Sequence, residues 1–295
     1  MKKIKGLYRL IRFELPLSAG VCVVMGQLLA LGKFASVSQT VYGALSIFLI
    51  SASILVSNDY FDVETDKINA PDRPIPSNLV STSDALSLSI ILLFTGFILS
   101  YLISIEALLC SISLSIVGFL YNRKFKKHGL LGNLLVSFSV GMTFIYGGLS
   151  VGLPFNKMVL LFGVIAALVD LGEEIAADAM DVKGDLLIDS NSLAIKYGKS
   201  VAFKISVYIF FIVVLLTIIP FILNWLSITY LIPIGIIDVS IVYCSLQLLK
   251  SKNEEGRKYI RLLYLGATIG LVIFLIMRFI GVEFEEIKPN RNCTD

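Results

Sequence analysis

Nine long apolar segments run through this 295-residue sequence and restrict the folds open to it. They occupy residues 14–34, 41–61, 82–104, 106–121, 130–152, 156–180, 201–223, 226–249 and 260–281. A helix needs about 20 predominantly apolar residues to cross the hydrocarbon core of a bilayer. Only 16% of the residues are charged, whereas soluble domains carry about 25%. The sequence therefore predicts an all-α, polytopic membrane protein and argues against a soluble globule.

The basic residues divide the connections between these segments into two sides. Cytoplasmic connections are enriched in Lys and Arg. Most of the 25 basic residues precede the first segment or lie in the second, fourth, sixth and eighth connections. We therefore predict nine crossings of the cell membrane with a cytoplasmic N-terminus, in one domain covering residues 1–295. The first segment also resembles a signal peptide, but no clear small-residue cleavage site follows it, so we expect a retained helix.

The scarcity of soft metal ligands limits the chemistry of the chain. His128 is the single histidine, and the four cysteines are far apart with no C-x-x-C pair. These residues argue against a zinc cluster and against a Ser-His-Asp arrangement. Any metal should therefore have oxygen ligands. We expect no nucleic-acid partner.

More than half of the 22 acids are concentrated in two short stretches at the cytoplasmic ends of the second and sixth segments. In both stretches three aspartates have the spacing D-x-x-D-x-x-x-D. The first acid row is Asp59, Asp62 and Asp66, and the second acid row is Asp178, Asp181 and Asp185, with Glu174 one turn upstream. On a helix these offsets place the carboxylates within about 60° of one another. Each row should therefore face one way.

Clustered carboxylates near a membrane repel one another unless a cation lies among them. Mg²⁺ takes oxygen ligands and usually binds through a few carboxylates together with the phosphate oxygens of a substrate. We therefore predict two Mg²⁺ ions around one diphosphate, with the six aspartates of the two rows as metal ligands and catalytic residues. A solvated helix end is the alternative interpretation, and the repeated spacing argues against it.

Basic residues near the acid rows are candidates for binding phosphate. Arg73 lies in a loop stiffened by Pro71, Pro74 and Pro76, which can hold its guanidinium near phosphate oxygens. The fourth connection supplies a further basic cluster, for which membrane-surface charge is the alternative, above all for Lys126 and Lys127. The candidate substrate-binding residues are Asn58, Arg73, Tyr121, Arg123, Lys124 and Glu174.

Two further acids lie inside apolar segments. Asp170 is in the sixth segment and Asp238 is in the eighth. Each could belong to an ion path, but we expect each to bond to a nearby Ser or Tyr and assign neither a chemical role. The equal spacing of the two acid rows, 119 residues apart, also suggests that helices one to four and five to eight are repeats, followed by one added helix.

The motifs together resemble the UbiA superfamily of intramembrane prenyltransferases. The family's first motif, N-D-x-x-D-x-x-x-D, matches Asn58 and the first acid row, and its second motif matches EIAADAMDVKGD. A family Tyr-x-x-x-Lys signature is only partly present, because Phe125 stands four residues after Tyr121, with Lys124 and Lys126 on either side. The resemblance covers almost the whole chain and implies an Mg²⁺-dependent prenyltransferase.

Within that superfamily, NDYFDVETDKINAPDRPIPS and LYNRKFKKHGLLGN are most similar to archaeal enzymes of membrane lipid synthesis. The resemblance implies geranylgeranyl diphosphate as donor and geranylgeranylglyceryl phosphate, a lipid, as acceptor. An aromatic acceptor, such as a quinone precursor or a chlorin, is an alternative within the same chemistry.

The expected mechanism is metal-assisted ionisation of the donor diphosphate, followed by capture at an acceptor hydroxyl in a site that excludes water. A cation transporter is the rival of another class, because intramembrane carboxylates also bind ions during alternating access. The acids of a transporter should lie near the bilayer midplane, whereas these acids lie at cytoplasmic helix ends.

Overall fold

The structure is a computed structural model that describes residues 2–182, 186, 190–251 and 256–284. The described residues form helices joined by turns and short loops, with no strand among them, which confirms the all-α prediction. The α-helices are α1 Lys2–Ile11, α2 Glu14–Leu31, α3 Val37–Phe61, α4 Val63–Asn69, α5 Thr82–Ile103, α6 Ile105–Arg123, α7 Leu130–Ser150, α8 Lys157–Met180, α9 Leu193–Tyr197, α10 Lys199–Ile222, α11 Leu231–Lys250 and α12 Gly256–Phe279. Short 3₁₀ turns occupy Phe125–Lys127 and Ile228–Tyr230.

Each predicted apolar segment corresponds to one long helix of the described chain. Eight of these helices are long and apolar enough to cross a membrane: α2, α3, α5, α6, α7, α10, α11 and α12. The exception, α8, has 24 residues but carries four acids toward its C-terminal end. The chain is therefore a multi-pass membrane protein, and a ninth crossing by α8 stays a prediction.

The central helices approach one another at backbone distance. A Cβ added to Gly26 of α2 would overlap the carbonyl oxygen of Phe144 on α7, and one added to Gly147 of α7 would overlap that of Val23 on α2. Small residues permit this close packing. Inside a bilayer van der Waals packing drives helix association, because the surrounding lipid is as apolar as the helices and no hydrophobic driving force remains. Helices α2 and α7 thus form a closely packed pair.

Buried hydroxyl groups connect further helices across the apolar interior. The Tyr146 ring is fully buried. Its hydroxyl lies 2.9 Å from Ser46 Oγ of α3 and 2.9 Å from Ser100 Oγ of α5. Ser53 Oγ of α3 donates to the Ser89 carbonyl of α5 at 2.8 Å. These bonds satisfy polar groups that could find no water in a bilayer, and they hold α3, α5 and α7 in register.

The amphipathic helix α1 lies against the loop that carries Arg73. Leu10 is fully buried in a cluster that includes Val80. Arg9 Nη2 donates to the carbonyl oxygen of Asp72 at 2.9 Å. Residue Arg12, between α1 and α2, has a positive φ of 49°, an uncommon conformation for a side-chain-bearing residue. This corner directs the chain into α2 beside the end of α3.

Candidate active site

The first acid row extends across a helix break, whereas the helical spacing predicted one continuous helix. Helix α3 ends at Phe61, Asp62 adopts φ −89° and ψ 6°, and α4 follows. The Asp62 amide still donates to the Asn58 carbonyl at 3.0 Å, and the Asp66 amide donates to the Asp62 carbonyl at 2.7 Å. Because these bonds preserve the helical connections, the break is small and the three acids remain close together.

Arg73, which the sequence analysis predicted to bind phosphate oxygens, bridges the two ends of this row in the structure. Its Nη1 atom lies 2.5 Å from Asp66 Oδ2 and 3.5 Å from Asp59 Oδ1. Asp59 is only 2% exposed and Asp66 only 6% exposed. Arg12 forms a second ion pair with Asp59 Oδ1. Two guanidinium groups therefore offset the charge of two carboxylates that are almost fully buried.

Lys126, and not Lys124, reaches the middle of the first acid row. Its Nζ atom pairs with Asp62 Oδ2 and lies 3.4 Å from Asn58 Oδ1. Lys124 is exposed, with Nζ 5.7 Å from the centre of the Phe125 ring. Arg123 is also exposed. The lysine in the site is therefore Lys126, for which the sequence analysis had favoured a membrane-surface role.

The second acid row begins on the inward face of α8 and continues past its end. Asn133 Nδ2 of α7 donates to Asp178 Oδ2 at 2.9 Å. Asp181 follows the last residue of α8 and pairs with Arg257 at the start of α12. The Asp181 side chain is 52% exposed. Asp185, the third member predicted for this row, lies outside the described residues.

Tyr121 connects the two acid rows. It is partly buried at the end of α6, and it lies within electrostatic range of Asp62 in the first row and of Glu174 and Asp178 near the second row. A Cβ on Gly132 of α7 would lie 3.4 Å from the Tyr121 ring. Members of both rows therefore lie near one tyrosine side chain, where the ends of α3, α6 and α8 and the start of α7 come together.

The position of these acids at helix ends explains their need for cations. The C-terminal end of a helix carries a partial negative charge, which disfavours carboxylates there. Asp59 lies in the last turn of α3 and Asp178 in the last turn of α8, whereas Asp62 and Asp66 lie at the start of α4. Four basic side chains offset this repulsion: Arg12, Arg73, Lys126 and Arg257. The sequence singled out only Arg73; Arg12 and Arg257 looked like ordinary cytoplasmic charges, and their distance in sequence from their partners gave no local signal.

The donor atoms suit Mg²⁺ in type. Carboxylate and amide oxygens are the ligands that this ion accepts. Among the described residues no three acids are gathered as a ready-made metal site. Two of them do converge on one positive atom, because Asp59 Oδ1 and Asp66 Oδ2 both lie within 3.5 Å of Arg73 Nη1. The first acid row therefore fits a cation, with the guanidinium nitrogen as its stand-in.

A model of the UbiA prenyltransferase family matches residues 19–277 of this chain. The chain is 32% identical over 278 residues to the digeranylgeranylglyceryl phosphate synthase of Methanocaldococcus jannaschii, and the match covers 94% of this chain and 97% of that protein. Family membership thus rests on most of the chain, and the resemblance seen in the motifs is confirmed.

Solved structures show the same fold. A structure of digeranylgeranylglyceryl phosphate synthase matches with a TM-score of 0.77 and 32% identity, covering 95% of this chain and all of the other. A UbiA homologue from Archaeoglobus fulgidus bound to GPP and Mg²⁺ matches with a TM-score of 0.66 and covers 92% of this chain and 99% of the other. At 16% identity the second likeness concerns the fold alone.

Proposed function

Since this chain belongs to the UbiA prenyltransferase family, we propose that it transfers a geranylgeranyl group from its diphosphate to the hydroxyl of geranylgeranylglyceryl phosphate. The relative with 32% identity over 94% of the chain carries the name of that synthase. The reaction would make an ether lipid of archaeal membranes. The aromatic acceptor that the sequence left open has no support among these relatives.

One observation carries the proposal. Members of both acid rows lie near Tyr121, and the rows are matched by four cationic side chains from other helices and loops. A site for a magnesium diphosphate needs both signs of charge: carboxylates for the metal and guanidinium or ammonium groups for the phosphate oxygens. A transporter needs carboxylates but no matching cluster of phosphate-binding cations at the ends of its helices.

We propose that two Mg²⁺ ions bind here, one held by Asp59, Asp62 and Asp66 and the other by Asp178, Asp181 and Asp185. When bound, Mg²⁺ neutralises the diphosphate and weakens its bond to the allylic carbon. With their carboxylate partners engaged by metal, Arg73 and Lys126 would be free to bind phosphate oxygens, as would Arg12, now paired with Asp59, and Arg257, now paired with Asp181. Asn58 and Tyr121 orient the same groups.

The apolar helix surfaces of the bundle have a separate role, which is to bind the prenyl chain and exclude water. A geranylgeranyl chain has no favourable place in water, so it should lie between helices, through an opening toward lipid. The same walls exclude water that would capture the allylic cation before the acceptor does. No nucleophilic side chain of the protein is required.

The proposed topology is a single domain with nine crossings and a cytoplasmic N-terminus, and the site faces the cytoplasm. The order of packing supports a duplication within it. Helix α2 packs on α3, α3 on α5 and α5 on α6, and in the second half α7 packs on α8, α8 on α10 and α10 on α11. Each acid row lies at the end of the second helix in its half, and α12 is the added ninth helix.

Product analysis tests the proposal. Purified protein in liposomes would receive geranylgeranyl diphosphate with geranylgeranylglyceryl phosphate, a hydroxybenzoate or a chlorin as acceptor, with Mg²⁺ or with EDTA. We expect a mass spectrum with one new ether lipid, formed only from the glycerophosphate and only with Mg²⁺. A prenylated aromatic product would contradict the acceptor assignment, and ion flux without any prenyl transfer would contradict the enzyme class.

A further inference from the structure

Asp170 lies on the same face of α8 as the second acid row but deeper in the bundle. Its spacing from Glu174 and Asp178 is four and eight residues, so the three carboxylates follow one helical face. Eight residues of helix correspond to about 12 Å along the axis. Asp170 is therefore beyond the reach of a metal held by Asp178, on the side where the prenyl chain of a donor would begin.

Among the described residues, only one of the two carboxylate oxygens of Asp170 has a hydrogen-bond partner. Ser137 Oγ of α7 lies 2.9 Å from Asp170 Oδ2 and 2.7 Å from the carbonyl oxygen of Asn133, so its one proton is shared between these two acceptors. Asn133, one turn away, holds Asp178 through its side-chain amide. No hydrogen bond reaches Oδ1 among the described residues, and that acceptor oxygen is not fully buried.

Two other acids within the bundle, Glu173 and Asp238, differ from Asp170 because their unpaired oxygen is fully buried. Glu173 is 8% exposed, and its Oε2 atom is fully buried without a partner beside Tyr264 of α12. Asp238, between α10 and α11, accepts from Thr217 Oγ1 at 2.9 Å, but its other oxygen is fully buried. Asp170 therefore combines an orienting hydroxyl with an accessible oxygen.

The proposed reaction creates a proton that needs an acceptor. The acceptor's hydroxyl oxygen gives an electron pair to the allylic carbon, the bond from that carbon to the diphosphate breaks with its electron pair going to the diphosphate, and the hydroxyl proton must leave. The carbon lies on the tail side of the diphosphate, so a base must be deeper than the metal ligands. A base within hydrogen-bonding reach contributes about 10²- to 10⁴-fold to such a step.

We infer that Asp170 is the catalytic base that takes the proton of the acceptor hydroxyl, with Ser137 as its positioning residue; this inference rests on the proposed function. Asp170 Oδ1 accepts the proton as the ether bond forms and returns it to solvent when the products leave. The titratable groups around it are Glu173 and Glu174 on its own helix, Cys22 on α2, Tyr121 on α6 and Tyr264 on α12. No described cation pairs with it.

The test separates donor ionisation from ether formation. Single-turnover assays in liposomes would follow diphosphate release and ether lipid separately for the wild type, Asp170→Asn, Glu174→Gln and Asp238→Asn. The last variant is the matched control, since it makes the same change to an intramembrane aspartate that also has one hydroxyl partner. We expect Asp170→Asn to lower ether formation at least 100-fold and to bind the Mg²⁺–donor complex within twofold of wild type. Asp238→Asn should match the wild type.

A pH profile adds a readout that a structural role would not change. Wild-type ether formation should fall as the medium becomes acidic, because a protonated base cannot accept, and this limb should be absent in the residual activity of Asp170→Asn. Ser137→Ala should lower kcat for ether formation several-fold with KM for the donor unchanged. Should Asp170→Asn fail to fold, a folded Ser137→Ala with unchanged kcat would assign Asp170 a structural role and overturn the inference.

The remaining outcomes are equally decisive. Ether formation by Asp170→Asn at the rate of the Asp238→Asn control overturns this inference and leaves the proposed function standing. A selective loss in Glu174→Gln, with Asp170→Asn active, transfers the role of base to Glu174. A wild-type chain that makes no ether lipid from the glycerophosphate overturns the proposed function and this inference with it.

Discussion

Lys126 and Lys124 are two residues apart in one loop, yet the structure gives them different roles. Lys126 contacts Asp62 and Asn58 in the first acid row, whereas Lys124 lies outside over Phe125. We therefore predict that Lys126→Ala impairs prenyl transfer and that Lys124→Ala does not. The pair is a matched comparison, because both changes remove one ammonium group from the same short connection.

The size of the effect follows from the burial of the pair. A hydrogen bond to a charged group contributes about 1.5–3 kcal/mol. The Lys126 side chain is 34% exposed, so solvent screening favours the lower part of that range, about 1.5–2 kcal/mol. This corresponds to a loss of about 10- to 30-fold in kcat/KM for the donor. Lys124→Ala should stay within about twofold, as exposed charges contribute little.

Metal binding gives a second and opposite expectation. In the absence of donor, Lys126 competes with a divalent cation for the Asp62 carboxylate. Lys126→Ala should therefore bind Mg²⁺ at least as tightly as the wild type by isothermal titration, even as transfer falls. Initial-rate kinetics in liposomes with labelled geranylgeranyl diphosphate provide the activity. An equal or larger loss in Lys124→Ala, or a Lys126→Ala variant within twofold of wild type, would refute the assignment.

Three further predictions concern the site and its frame. Asp62→Ala and Asp181→Ala should each abolish turnover while circular dichroism shows an unchanged helix content, and retained transfer in both would remove the proposed mechanism. Arg73→Lys should lower kcat/KM about 10-fold or more, because an ammonium group offers fewer donors than a guanidinium and cannot bind phosphate oxygens in a bidentate way; full activity would contradict a phosphate-binding role for Arg73. Gly147→Ala should lower the free energy of unfolding by about 1–3 kcal/mol, since its Cβ would overlap α2, whereas Gly235→Ala, with open space around it, should not destabilise the protein in thermal unfolding.

The helices were predictable because the bilayer imposes a simple rule on composition. Apolar length alone located all nine long helices of the described chain to within a few residues. The concentration of acids at two helix ends could be read from the sequence, but helical periodicity did not foresee the break at Asp62 or the end of α8 before Asp181. Neither signal depends on contacts between distant parts of the chain.

The partners of the acids could not be predicted in this way. Arg12 and Asp59 are 47 residues apart, and Arg257 and Asp181 are 76 residues apart, so no local pattern connects them. The choice between Lys124 and Lys126 depends on the 3₁₀ turn Phe125–Lys127, which determines the direction of each side chain in the loop. Hydropathy assigns a loop to one side of the membrane but carries no information about that direction.

The resident counter-ions of the acid rows have a consequence for the empty enzyme. Because Arg12, Arg73 and Lys126 already neutralise the first row, loading a magnesium diphosphate is an exchange of partners and not an accumulation of charge at the bilayer. The same exchange operates in reverse after transfer. Once diphosphate has left, the arginines and the lysine would return to the aspartates, and this recombination would stabilise the vacated site.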